Sequence, residues 1–196
     1  MRRWIVLLII LALAVLADEM NGWSKLHDAI YQENMQKIEQ LIKDGGDIEK
    51  PSKAGITPLI LAVKMRSLPI VKYLVEHGAD VDDQDRNGMT PLLYAVGERR
   101  YKIVKYLIKH DADLNLPNRY GITPLHQAAY MGDVELIDLL IKMGADPNVK
   151  NALGMTPCQL AYAKHRFLVA KYMQPFTQGE CIVGDDKRGE KRDQKR

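Results

Sequence analysis

Few side chains in this 196-residue sequence could do chemistry, and their spacing limits what that chemistry could be. The histidines are His27, His77, His110, His126 and His165. None has a carboxylate or second imidazole at a metal-binding helical spacing of the HExxH kind. Cys158 and Cys181 lack supporting histidines at ligand spacing, so they do not make a zinc site. No serine elbow occurs, and Gly97 and Gly132 stand alone instead of forming a GxGxxG phosphate cradle. The sequence therefore assigns no catalytic residue, no metal ligand and no cofactor, and the chain reads as a non-enzyme.

Residues 1–17, MRRWIVLLIILALAVLA, place two arginines before an unbroken apolar run from Trp4 to Ala17. That is the layout of a secretory signal peptide, with cleavage expected after Ala17. The run is 14 residues, shorter than the roughly 20 that span a bilayer as a helix. An uncleaved anchor is the alternative. Export gives the two cysteines a meaning: in an oxidising compartment they pair as Cys158–Cys181, the other reading being one buried and one loose thiol.

The formal charge of +3 is unevenly placed. Of 28 basic residues, Arg2, Arg3 and six between Asp185 and Arg196 lie at the ends, leaving 20. Of 25 acidic residues, four lie in that C-terminal stretch, leaving 21. The body is close to neutral, which argues against a nucleic-acid partner, because phosphate binding needs positive charge gathered on the folded face. Residues 177–196 read as a charged C-terminal segment, expected to be disordered from 185.

These scattered groups are positioned by a repeat. Gly55-Ile56-Thr57-Pro58-Leu59, Gly88-Met89-Thr90-Pro91-Leu92, Gly121-Ile122-Thr123-Pro124-Leu125 and Gly154-Met155-Thr156-Pro157-Cys158 recur every 33 residues, with a weaker copy from Gly22. Seven residues after each glycine stands an alanine: Ala29, Ala62, Ala95, Ala128 and Ala161. Apolar pairs such as Ile103-Val104 and Leu107-Ile108 follow, closed by Gly78-Ala79-Asp80, Asp111-Ala112-Asp113 and Gly144-Ala145-Asp146. The pattern resembles the ankyrin repeat, whose TPLHxA core appears most completely as Thr123-Pro124-Leu125-His126-Gln127-Ala128.

The resemblance implies an all-α solenoid of five helix-turn-helix units joined by hairpin-like loops, occupying residues 18–176 as one domain. The residues supply their own reasons for it. Each threonine can cap free N–H groups at a helix start, and the proline after it suits the first turn. A single helix pair cannot bury its apolar stripe, so units must stack. The first unit carries Lys37 and Gln40 where later ones have Ile70 or Ile103 and Tyr73 or Tyr106, as a polar end cap requires. The fifth ends irregularly at Met173-Gln174-Pro175-Phe176 and reads as the other cap. Where the family usually has glycine between the helices, only Gly132 conforms; Glu33, Arg66, Arg99 and His165 occupy the other four positions. At Asp111, which replaces a helix-ending glycine, mild local strain is expected. The resemblance also implies that His27 and His126 bond locally and hold adjacent units, while His77 and His110 suit helix C-termini.

In such a stack the hairpin tips and the exposed side of each first helix line a concave face. The positions there include Met20, Trp23, Tyr31, Ile56, Met65, Arg86, Met89, Arg119, Tyr120, Ile122, Tyr130, Met131, Leu153 and Met155. Methionine, aromatic and branched apolar types dominate a surface that would otherwise be polar, which marks an interaction site. Trp23, Tyr31, Met65, Arg86, Met89, Arg119, Tyr120, Ile122, Tyr130, Met131, Leu153 and Met155 are the expected partner-binding set, centred on Tyr120, Tyr130 and Met131. For Ile56, Met89, Ile122 and Met155 the other reading is packing inside their own hairpins. The expected function is non-catalytic binding of another protein, by a chain monomeric when unbound, in a periplasmic or secreted compartment and without membrane contact beyond export. The resemblance to exported bacterial ankyrin proteins suggests that layout. The alternative is an immunity protein that blocks an exported effector enzyme.

Overall fold

The computed structural model of this chain describes residues 22–179 and Cys181. The proposed leader, Met20 and the segment from 185 lie outside the described residues. Ten α-helices follow one another with no strand among the described residues: α1 Lys25–Tyr31, α2 Met35–Lys43, α3 Pro58–Lys64, α4 Leu68–Glu76, α5 Pro91–Gly97, α6 Tyr101–Lys109, α7 Pro124–Met131, α8 Val134–Lys142, α9 Pro157–Ala163 and α10 Phe167–Met173. They form an all-helical solenoid of helix-turn-helix units. The odd-numbered helices pack against one another in sequence as an inner row, and each even-numbered helix packs on its own inner partner.

Each inner helix begins in the same way. Ser24, Thr57, Thr90, Thr123 and Thr156 are N-caps in extended conformation whose hydroxyls accept a backbone N–H three residues on, and in the last four a proline follows. That arrangement satisfies a donor the helix cannot satisfy itself, at the position where proline costs no hydrogen bond. Leu26, Leu59, Leu92, Leu125 and Cys158 all point inward and are buried, as are the five alanines three residues further on. On the outer helices Ile70, Val71 and Leu74 are buried, with Ile103, Val104, Leu107 and then Leu136, Ile137, Leu140 repeating them. One continuous apolar core results, and it runs the length of the array.

The loops also stack. Within a hairpin, the Asp85 N–H donates to the Met89 carbonyl; between hairpins, the N–H groups of Arg86, Arg119 and Ala152 donate to the carbonyls of Ala54, Asn87 and Tyr120. Gly55, Gly88 and Gly121 have φ of +78°, +75° and +71°. A Cβ there would sit 2.7–2.9 Å from the backbone nitrogen of the next hairpin, so both conformation and close approach demand glycine.

Between the two helices of each unit the turn is left-handed whatever residue occupies it: Glu33, Arg66, Arg99 and His165 have φ between +51° and +64°, alongside Gly132 at +75°. The absent glycines therefore leave the turn geometry unchanged. At the end of the array, Gln178 donates its N–H to Asn148, and Cys181 is disulfide-bonded to Cys158 with a Cα separation of 5.3 Å. This bond holds the segment after α10 against the last repeat.

Candidate functional site

The groups with chemistry are mostly committed to joining repeats. Burial holds the imidazoles of His27 and His126 below the usual histidine range. Each bonds back to its own N-cap, Ser24 or Thr123, and forward to the carbonyl of Ile56 or Met155 in the next unit. The His77 ring stacks on Tyr73 at 3.9 Å and bonds the Tyr73 carbonyl at the end of α4. Among the described residues no three histidine, cysteine or acidic side chains are grouped to hold a metal.

The arginines of the inter-helix turns are engaged too. Arg66 reaches Glu98 of the following unit at 3.2 Å, and Arg99 reaches the buried Asp133 at 3.0 Å while also donating to the Met131 carbonyl. Asp133 caps α8 and accepts the Tyr101 hydroxyl from the preceding unit; burial and that carboxylate push the tyrosine up to about 12. A left-handed arginine is strained relative to glycine, and these contacts between units offset the strain.

A row of carboxylate and amide side chains performs a comparable task near the ends of the outer helices. Glu49, Asp82, Asn115 and Asn148 each accept the backbone N–H of a residue in the next unit, at Asp80, Asp113, Asp146 and Gln178. Burial raises the Glu49 carboxyl to about 7.

What these contacts leave open is the side formed by the inner helices and hairpin tips. Its side chains meet across units, with the Lys64 ammonium 4.2 Å from the centre of the Tyr94 ring and Lys164 5.4 Å from that of Tyr130, and within the first unit Trp23 meets Tyr31 edge-on. Tyr94 also bonds Asp85, which organises the hairpin below it by accepting the N–H groups of Asn87 and Met89. Burial, reinforced by that carboxylate, raises the Tyr94 phenol.

The structure divides the expected binding residues into groups. Tyr31, Tyr120, Tyr130 and Leu153 are 59%, 69%, 47% and 78% exposed, and Arg86 and Arg119 are exposed beside them. Trp23, Met65 and Met131 are half-buried and packed against the core. Met89, Ile122 and Met155 are half-buried at the hairpins, and the Met89 sulfur contacts Asn118 of the next one. Met131 is thus not an open neighbour of Tyr130, because it turns inward at the end of α7. Tyr120 is at a hairpin tip and Tyr130 at the far end of the following helix, so the two mark opposite margins of one unit.

Four exposed apolar residues were not in the sequence set: Val134, Met143, Leu168 and Phe176, all on or after the outer helices. Two had a readable signal. Leu168 stands where earlier units have Pro69, Lys102 and Glu135, and Met143 where they have Asp44, His77 and His110. Between the first three hairpins lies an open cleft of about 600 Å³ with Trp23, Lys53, Ile56 and Arg86 on its walls. No helix among the described residues is long and apolar enough to cross a membrane.

No curated protein sequence matches the chain. A family model describing three copies of the ankyrin repeat matches it in four overlapping windows, residues 7–85, 26–118, 77–151 and 111–181.

Proposed function

Because the chain belongs to the ankyrin-repeat family, whose members generally mediate protein–protein interaction and are typically non-catalytic, we propose that it binds a single protein partner through the face made by its inner helices and hairpin tips. The observation that carries this reading is the exposure of Tyr31, Tyr120, Tyr130 and Leu153 along the inner helices and hairpin tips. Tyrosine combines apolar area with a hydrogen-bonding tip and few rotatable bonds, and it is enriched where interfaces concentrate their energy. Arg86 and Arg119 flank Tyr120 as polar anchors.

We place the protein in an exported, oxidising compartment. The leader pattern of residues 1–17 supports this, and so does the Cys158–Cys181 bond, a pairing that reducing cytosol disfavours. The unbound protein is monomeric in this reading, and nucleic acid is not its partner.

The test is affinity capture from the native exported fraction, comparing the wild type with Tyr120→Ala/Tyr130→Ala. The reading predicts a partner recovered by the wild type and lost with the variant. Unchanged recovery would remove the site from this face. A stable one-to-one complex with one enzyme, silencing it, would specify the immunity role.

A further inference from the structure

The second hairpin leaves a dip among the tips. Ala54 presents a methyl group at the position where Asn87, Tyr120 and Leu153 stand in the later hairpins. Over it lies the open cleft of about 600 Å³, lined by Trp23 of the first hairpin, Ser52, Ala54 and Ile56 of the second, and Arg86 and Asn87 of the third. Lys53 also reaches this cleft, but it is already engaged, and nothing is asked of it.

The backbone beneath the cleft is fixed. The Arg86 N–H donates to the Ala54 carbonyl and the Arg119 N–H to the Asn87 carbonyl. The Ser52 hydroxyl accepts the N–H groups of Ala54 and Ile56. At Gly55 the hairpins approach so closely that a Cβ would lie 2.8 Å from the Arg86 nitrogen. A surface held in this way loses little freedom when something settles on it.

The polar groups left over are few. Arg66, Arg99 and Arg100 pair with carboxylates at 3.2, 3.0 and 3.5 Å, whereas the exposed Arg86 guanidinium pairs with none among the described residues. Its neighbour Asp85 is buried and committed to the Tyr94 hydroxyl and to the N–H groups of Asn87 and Met89. Asn87 is bonded among the described residues through its backbone alone, so its carboxamide is unspent. One guanidinium matches one carboxylate through two parallel hydrogen bonds, and a carboxamide matches the donor and acceptor of a peptide backbone. A single cation beside the indole of Trp23 and the side chain of Ile56 suits a carboxylate next to an apolar group, while a phosphate chain needs several cations gathered together.

On these observations, and resting on the protein-binding reading above, we propose that the cleft over Ala54 receives an internal segment of the partner protein in which a large apolar side chain stands beside an aspartate or glutamate. The apolar side chain packs on Trp23 and Ile56, the carboxylate pairs with Arg86, and Asn87 bonds the backbone of the segment. Because the cleft is open, the segment need not offer a chain end.

The experiment is selection of a random dodecapeptide library, displayed with fixed sequence on both sides, on the chain from Asp18 onward. Trp23 is the one tryptophan of that chain, so its fluorescence reports on the cleft. Expected is enrichment of peptides that place an acidic residue beside a large apolar one, whose acetylated and amidated synthetic forms change the Trp23 emission saturably. Arg86→Glu should weaken them about tenfold or more, and replacing the peptide's acidic residue with lysine should restore binding to that variant. Ala54→Leu, which fills the cleft, should abolish binding. Both variants change exposed tip side chains and should melt at the wild-type temperature. No enriched peptide, enrichment without a shared acidic residue, affinity unchanged in either variant, or binding that requires a free carboxyl terminus would overturn the proposal. Such a failure leaves the protein-binding reading intact if Tyr120→Ala/Tyr130→Ala still abolishes partner capture, and both fall if it does not.

Discussion

The Nε2 of His126 donates to the carbonyl oxygen of Met155, 3.0 Å away in the next repeat, while its Nδ1 accepts the hydroxyl of Thr123 at 2.9 Å. A carbonyl only accepts, which puts a proton on Nε2, and the Thr123 backbone N–H, which only donates, also meets Nδ1 at 3.3 Å, so the ring is the neutral Nε2–H tautomer. His27 repeats the arrangement at the other end with Ile56 and Ser24. At the two inner junctions the same position is filled by Ile60 and Leu93, both fully buried. An imidazole therefore ties each end unit to the array at a position that aliphatic side chains fill in the middle.

His126→Gln tests that tie. Gln159 already fills this position in the last repeat and completes the capping box with Thr156, so the variant keeps the cap and loses the reach to Met155. The expected loss is about 1 kcal/mol in urea denaturation near pH 8. Burial lowers the His126 pKa in the folded state, so the unfolded chain takes up the proton first as pH falls below about 6.5, and the wild type loses stability there. Glu49 acts with the opposite sign: its folded-state pKa of about 7 gives stability at low pH that is lost as pH rises through that value. The difference between wild type and variant isolates the histidine, and the deficit should shrink from pH 8 to pH 5. A deficit constant with pH would refute the assignment.

Leu92 sits fully buried between stacked inner helices in the middle of the array. Leu92→Ala should cost about 3 kcal/mol, the range for a buried leucine truncated to leave a cavity. Leu92→Asp should abolish the cooperative thermal transition seen by circular dichroism, because an unpaired carboxylate would be forced into the core.

Asp111 adopts φ of +63° after α6, where Gly78 and Gly144 close the equivalent helices. An aspartate carries a steric penalty in that conformation that glycine does not. Asp111→Gly should raise stability by about 0.5 kcal/mol, a change resolved by paired chemical melts; a fall in midpoint would mean the side chain makes a contact worth more than the strain.

Much of the architecture was legible because the Thr-Pro-Leu core repeats at a fixed interval, and capping, proline placement and the buried leucine and alanine all follow from those few residues. The network between units was not legible. Arg66 with Glu98 and Tyr101 with Asp133 are 32 residues apart at positions that vary from unit to unit, and their pairing depends on the offset between neighbouring units. The half-burial of Met65 and Met131 was not legible either: each stands at the C-terminal end of an inner helix, where a flexible thioether folds back onto the core.

The Cys158–Cys181 bond closes a loop with a sequence separation of 23 and fastens the segment after α10. Cys181→Ser should lower stability by about 3 kcal/mol under oxidising conditions, in line with loop-closure entropy. Dithiothreitol should lower the wild type equally and the variant not at all. Alkylation without reduction should label neither cysteine in the wild type.

The central claim is that the inner-helix and hairpin-tip side receives a protein. Photo-crosslinking amino acids placed singly at Tyr31, Tyr120, Tyr130 and Leu153, and on the outer helices at Val134, Met143 and Leu168, test it most directly in the native compartment. The account predicts one and the same protein crosslinked from the first four positions and not from the last three. Crosslinks confined to the outer-helix positions would contradict it.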